Sequence, residues 1–203
     1  MIPYGADRVT RADPAHIRKL GLEPRDYFVS IARIEPENSI AEIVAAHEAA
    51  ETGRKLVVLG RLDDGNRYHR RLRQMAGPDV VFPGAIYDQT IVKALRLHAR
   101  AYLHGHQVGG TNPSLVEALG AGSAVIARDN RFNRWTAGEG QFYFASVPEA
   151  VMHLRRLAVD DLAIKRAEKA ARARHAEAFL WDDALSRYQA LMLGRPMAQV
   201  AAE

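Results

Sequence analysis

No cysteine occurs anywhere in the 203 residues, which excludes disulfides and thiolate metal sites. No apolar run approaches the roughly 18 residues of a membrane-spanning helix. The opening Met1–Asp7 has neither the basic region nor the apolar region of a secretory signal. Together these absences point to a cytoplasmic protein. Aromatic residues make up only 7% of the chain. The basic stretches 67–73 and 165–174 lack the number of interleaved aromatics that a nucleic-acid stacking platform needs, so nucleic acid is not an expected partner.

What is present is an ordinary globular composition, 48% hydrophobic and 26% charged, in a length that suits one domain with a sizeable core. The net charge of +4 favours an anionic partner such as a phosphate-bearing ligand. Arginine-rich, solvated helix faces would give the same charge.

Short apolar runs alternate with longer helical stretches. Strands are predicted at Tyr27–Ala32, Lys55–Gly60, Val80–Phe82, Arg100–His104, Ala124–Ala127 and Gln141–Phe144. Helices are predicted at Ser39–Ala50, Asn66–Met75, Asp88–Leu97 and Pro113–Ala121, then Pro148–Ala158, Leu162–Phe179 and Trp181–Leu193. Within the last of these, Trp181 and Tyr188 are expected to anchor the core. Strands alternating with helices predict an α/β fold: a Rossmann-like parallel sheet with helices on both faces. In such sheets ligands bind at the carboxyl ends of the strands. Residues 1–12 read as a linker from a preceding domain, 13–193 as the folded domain and 194–203 as a loose tail.

The strongest local feature is His104-Gly105-His106-Gln107-Val108-Gly109-Gly110-Thr111-Asn112-Pro113-Ser114. Its glycines permit close approach of backbone to a ligand. Asn112 suits an N-cap and Pro113 a first helical position. A helix start of this kind favours a phosphate through its free N–H groups and positive dipole end, although an unoccupied loop-to-helix junction would look the same. Glu117, one turn further on among apolar residues, suits the vicinal hydroxyls of a ribose, or else is a surface glutamate. Arg33, at the end of the first strand, suits a diphosphate, with a salt bridge to Glu35 or Glu37 as the alternative. Gly60 and Gly84 close strands. His98, His104 and His106 have no carboxylate at matching spacing, so no metal site is assigned; His104 is expected to pack at the sheet edge, hydrogen-bonded to backbone.

On these residues the chain resembles the C-terminal, donor-binding domain of GT-B glycosyltransferases, specifically retaining family 4. Ile2–Asp7 is similar to that family's Ile-Pro-Asn-Gly-Val-Asp entry segment, and Ser30–Asn38 to its Gly-Arg-Leu-x-Pro-Glu-Lys stretch. Phe82–Ile86 resembles Phe-Leu-Gly-x-Val, Val116–Gly122 the Glu-Ala-Met-Ala-Cys-Gly run, and Phe179–Tyr188 the Phe-Ser-Trp crossover helix. The run from His104 to Ala118 resembles a subgroup that includes rhamnosyltransferases of polysaccharide assembly.

The resemblance implies retaining transfer of a hexose, rhamnose among the candidates, from a nucleotide diphosphate to a saccharide or lipid-linked acceptor. It implies no cofactor and no metal, and assigns the acceptor and some catalytic groups to an N-terminal domain. The isolated chain is therefore expected to bind donor weakly and turn over negligibly, and the longer protein to have access to the membrane surface. By the same resemblance Arg33 contacts the diphosphate, the backbone around Ile86 holds the base, Glu117 takes the ribose hydroxyls, and Gly110, Thr111, Asn112, Pro113 and Ser114 cradle phosphate and sugar. Gly109 stands where the family has the first glutamate of Glu-x7-Glu, and Asn38 where it has a lysine. Arg33, the helix dipole and His106 are left to serve the leaving diphosphate. A GT-B sugar-nucleotide epimerase and a non-catalytic nucleotide-sugar-binding module are the alternatives.

Overall fold

Residues 2–194 are described in a computed structural model of the chain. Six short strands form its centre: β1 (Tyr27–Ile31), β2 (Lys55–Leu59), β3 (Val80–Val81), β4 (Ala101–His104), β5 (Val125–Arg128) and β6 (Phe142–Phe144). Their residues are apolar at successive positions because both faces are covered. Phe28, Leu56, Val58, Leu103 and Ile126 face one side, whereas Tyr27, Val29, Val57, Leu59 and Tyr102 face the other. This is the two-sided burial typical of parallel sheets.

The strands pair in parallel in the order β3-β2-β1-β4-β5-β6. The nine α-helices among the described residues are α1 (Ala15–Arg18), α2 (Ile40–Ala50), α3 (Arg67–Met75), α4 (Gln89–His98), α5 (Pro113–Gly120), α6 (Arg131–Ala137), α7 (Val147–Val159), α8 (Asp161–Ala178) and α9 (Trp181–Met192). Helices α2, α3 and α7 seal one face through residues such as Ile43, Val44, Leu72 and Leu154. On the other face α1 and α4 contribute Ile17, Val92 and Leu95, while α5 and α6 contribute Leu115, Leu119 and Ala137. The expected α/β Rossmann-like sheet with helices on both faces is the observed fold.

Residues 2–12 form no helix or strand, yet they are docked on the domain. The Ala6 N–H donates to the Phe179 carbonyl at 2.9 Å, and the Val9 N–H donates to that of Gly120 at 2.9 Å. Of the tail expected at 194–203, only Gly194 is among the described residues.

One expectation about the helices fails. Trp181 and Tyr188 are 38% and 49% exposed and anchor no core. Helix α9 buries only Ala184, and Trp181 instead lies edge-to-face on Tyr4 with ring centroids 5.0 Å apart. No helix among the described residues is long and apolar enough to cross a membrane.

Candidate functional site

Strand β1 pairs with β2 on one side and β4 on the other, so the order of the sheet reverses between β1 and β4. Loops leaving these strands diverge and open a crevice, the usual ligand position in this class of sheet. A cleft of about 870 Å³ lies there. Arg33, Gly60, Ile86, His106, Asn112, Pro113, Ser114 and Glu117 all line it, so most residues singled out by sequence converge on one cavity.

Arg33 leaves the end of β1 with its side chain 80% exposed, and Glu37 lies 3.4 Å from its guanidinium. The salt-bridge alternative and a free cation are therefore nearly the same state, because an exposed pair of this kind is weak. Asn38 does not line the cleft: its amide is turned inward and donates to the Arg33 carbonyl at 2.8 Å. It braces the turn that presents Arg33. Gly60 has its own structural reason. A Cβ there would sit well inside contact distance of the Ala32 carbonyl and 2.7 Å from Ile34 Cγ1. His69, from α3, accepts from the Asp63 N–H at 2.9 Å through Nδ1 and donates to the Ile34 carbonyl at 2.6 Å through Nε2. It ties the β2 loop to the β1 loop across the cleft floor.

The start of α5 forms as its residue types require. Asn112 accepts from the Ser114 N–H at 3.0 Å, and Pro113 follows as the first helical residue. The Leu115 and Val116 N–H groups return to the Asn112 carbonyl, at 3.1 Å each. The donors left for an anion therefore come from the preceding turn. Gly110, Thr111 and Asn112 N–H groups make no hydrogen bond among the described residues. Gly109 and Gly110 lie in an exposed stretch, and a Cβ at either would meet no atom within 4 Å. The Gly109 φ of +122° is a conformation that side-chain-bearing residues rarely adopt. Ser114 presents no free hydroxyl to the cleft. Its Oγ lies 2.6 Å from the Tyr102 hydroxyl and 3.0 Å from the Ile31 carbonyl, and also accepts from Arg96.

Glu117 is neither buried nor a plain surface residue; its side chain is 35% exposed and pairs with Arg96, itself 5% exposed, at 2.5 Å. The pair forms a wall between the main cleft and a second hollow of about 310 Å³ near Tyr4, Asp7, Lys93 and Trp181. A buried arginine needs such a partner, since its charge is otherwise left without compensation.

The His-Gly-His run places His104 and His106 on one side of the chain, two residues apart. His104 is fully buried, and neither ring nitrogen has a hydrogen-bond partner among the described residues, contrary to the backbone contact expected for it. Burial, together with neighbouring His106, holds its pKa well below the ordinary histidine value. Burial and the nearby Arg33 cation also lower His106, which lines the cleft. His106 is therefore a neutral imidazole at pH 7: it offers hydrogen bonds and no positive charge. Its carbonyl is pinned by the amides of Asn130 and Asn133, each at 2.9 Å.

Sequence reading missed Arg96, Tyr87 and the Asn130–Asn133 clamp. Tyr87 lines the cleft beside Ile86 and is 84% exposed, an aromatic face available to a ligand. Its position next to the Gly84 turn was the available signal. For Arg96, one of several basic residues in α4, no sequence signal distinguishes the inward-facing one.

No protein-family model matches this chain, and no curated protein matches its sequence. Solved structures do match its fold. The sucrose-phosphate synthase of Thermosynechococcus elongatus superposes with a TM-score of 0.80 at 20% identity, covering 95% of this chain and 51% of that one. HepE of Anabaena, in complex with UDP and glucose, gives 0.81 at 16% identity, covering 94% and 55%. A glycosyltransferase of Rickettsia africae gives 0.78 at 12% identity, covering 94% and 55%. The chain thus spans about half the length of the structures it is similar to. At such identities the likeness speaks for the fold, and the chain folds as a Rossmann-like half of the GT-B architecture.

Proposed function

We propose that this chain is the C-terminal, donor-binding half of a retaining glycosyltransferase that transfers a hexose from a nucleotide diphosphate to a saccharide or lipid-linked acceptor. The observation that carries the proposal is one cleft, at the reversal of strand order, lined by an arginine, a helix start and a half-buried carboxylate. The three suit the three parts of a nucleoside diphosphate. Arg33 and the turn N–H groups of Gly110–Asn112 meet the diphosphate. Glu117 accepts from the ribose hydroxyls, and the Ile86–Tyr87 loop receives the base. The similar fold of a protein solved in complex with UDP-glucose, at 16% identity, adds support.

The chemistry asked of this half is electrostatic. As the bond between the anomeric carbon and the diphosphate oxygen breaks, negative charge grows on the diphosphate. Arg33 and the positive end of α5 lie where that charge develops. His106, neutral at pH 7, contributes a hydrogen bond to the same region. The acceptor hydroxyl attacks on the face the diphosphate leaves, which keeps the anomeric configuration, and its proton passes to the departing diphosphate. The sequence features that favour family 4 and its rhamnosyltransferase-like subgroup make rhamnose a leading candidate for the sugar. An N-terminal domain supplies the acceptor site, and the longer protein works in the cytoplasm with access to the membrane surface.

Calorimetry of the chain with UDP, GDP, dTDP and ADP, and then with their sugar conjugates, tests this reading. One base should be preferred, with turnover by residues 1–203 alone negligible. Failure to bind any of the four would overturn the assignment of the cleft.

A further inference from the structure

Arg96 belongs to no role assigned so far, yet it is among the most constrained side chains of the cleft. It projects from the last turn of α4, is 5% exposed, and its Nη2 bridges Glu117 Oε2 at 2.5 Å and Ser114 Oγ at 3.1 Å. Ser114 and Glu117 are three residues apart on α5, hence on one helix face. Behind them the Tyr102 hydroxyl lies 2.6 Å from Ser114 Oγ and donates to the Ile31 carbonyl at 3.1 Å. A continuous polar chain therefore runs from the end of β1, through β4 and α5, to α4. Arg96 sits at its terminus and holds the only carboxylate in it.

Resting on the donor-binding reading above, we propose that Arg96 is a positioning residue that fixes Glu117 in the rotamer needed to select a ribose. An unrestrained glutamate has three rotatable bonds and loses that freedom on binding a diol. In this protein the freedom is already lost. Oε2 is committed to Arg96, which leaves the carboxylate's remaining acceptor capacity for the hollows that Glu117 lines, the main cleft among them. Burial of Arg96 makes the commitment durable. A guanidinium that is almost out of water retains its one carboxylate partner. The same burial argues against Arg96 as a direct phosphate ligand; the exposed cations lining the cleft are Arg33 and Arg61.

The test compares the tightest of UDP, GDP, dTDP and ADP with its 2′,3′-dideoxy counterpart and with inorganic pyrophosphate, on wild type, Arg96→Met, Arg96→Lys and Glu117→Ala. Wild type should prefer the hydroxylated sugar by roughly tenfold or more, as expected for one or two hydrogen bonds to a charged group. Arg96→Met should bring that ratio close to that of Glu117→Ala while leaving pyrophosphate affinity within about twofold. Arg96→Lys, which keeps the charge without the planar fork, should recover part of the ratio. A purely structural role would lower the unfolding temperature and weaken all three ligands alike, with the ratio preserved, and that result overturns the proposal. Should Arg96→Met fail to fold, Arg96→Lys alone still reports the ratio. The donor-binding reading fails separately, if wild type binds none of the nucleotides.

Discussion

His104 and His106 stack ring on ring, with centroids 4.3 Å apart and planes within 9° of parallel. The inner ring is fully buried without a hydrogen-bond partner, so protonating it places a charge in an apolar site beside a second imidazole. Both pKa values lie below the ordinary histidine value, His104 by burial and then His106, and His106 by burial and then Arg33. As pH falls below about 6.5 the unfolded chain takes up these protons first. The stability contributed by the neutral pair is complete above that pH and is lost as pH falls toward the folded-state values. Unfolding temperatures measured from pH 8 to pH 5 should therefore drop below pH 6.5. His104→Phe, which keeps the stack and removes the inner titration, should lessen the drop, leaving the part due to His106. An equal drop in the variant would show that His104 is not responsible.

The strands were legible because burial on both faces leaves uninterrupted apolar runs, as in Tyr27-Phe28-Val29, and these were bounded to within a residue or two. The start of α5 was legible because Asn112 and Pro113 act through local chemistry. Helix α6 was not. Arg131-Phe132-Asn133-Arg134-Trp135 has less than two turns of pattern, and its cap, Asn130, has a second task in holding the His106 carbonyl. The seven-residue spacing of Trp181 and Tyr188 marks one face of a helix but not what lies opposite, which at Trp181 is Tyr4 and Gly5 and leaves Tyr188 49% exposed. Asn38 and Ser114 were placed in the site by position along the chain. Their side chains turned out to be occupied by backbone and neighbouring hydroxyls, a tertiary fact with no local signature.

Gly60, which lines the cleft, and Gly110, in the turn before α5, should respond oppositely to alanine. At Gly60 the new methyl collides with the Ala32 carbonyl and Ile34, so Gly60→Ala should cost about 1–3 kcal/mol in chemical denaturation. Because the displaced backbone leads to Arg33, nucleotide affinity should fall with it. At Gly110 a methyl meets nothing within 4 Å and the φ is not positive, so Gly110→Ala should leave stability unchanged. Weaker nucleotide binding by Gly110→Ala at unchanged stability would mark close backbone approach by the ligand. If Gly60→Ala were as stable as wild type, the packing argument would be wrong.

Asn112 combines a structural and an electrostatic role, and two substitutions separate them. Asn112→Ala removes the cap on the Ser114 N–H and should destabilise by about 1 kcal/mol. Asn112→Asp keeps the cap and adds a negative charge near the positive end of α5, so stability should hold or rise. The same charge repels a diphosphate, so Asn112→Asp should bind nucleotide several-fold more weakly than Asn112→Ala. Equal affinities in the two variants would place the anion away from this helix start.

Arg33 should matter to binding and hardly at all to folding. Its side chain is 80% exposed, and its only ionic partner among the described residues, Glu37, is 3.4 Å away and itself 52% exposed. Arg33→Ala should change stability by less than about 0.5 kcal/mol. Losing a charge-assisted contact to a diphosphate corresponds to about 1.5–3 kcal/mol, or roughly ten- to hundredfold in affinity. The salt dependence of binding should flatten in the same variant, because the screened attraction has been removed. Glu37 supplies a second measurement with a diagnostic sign. If it competes with the diphosphate for Arg33, Glu37→Gln should tighten nucleotide binding by about two- to threefold, the size of an exposed ion pair. If it orients Arg33 for the ligand, the same substitution should weaken binding. Unchanged affinity in both Arg33→Ala and Glu37→Gln would remove Arg33 from the diphosphate site and shift that task to Arg61 and the Gly110–Asn112 turn.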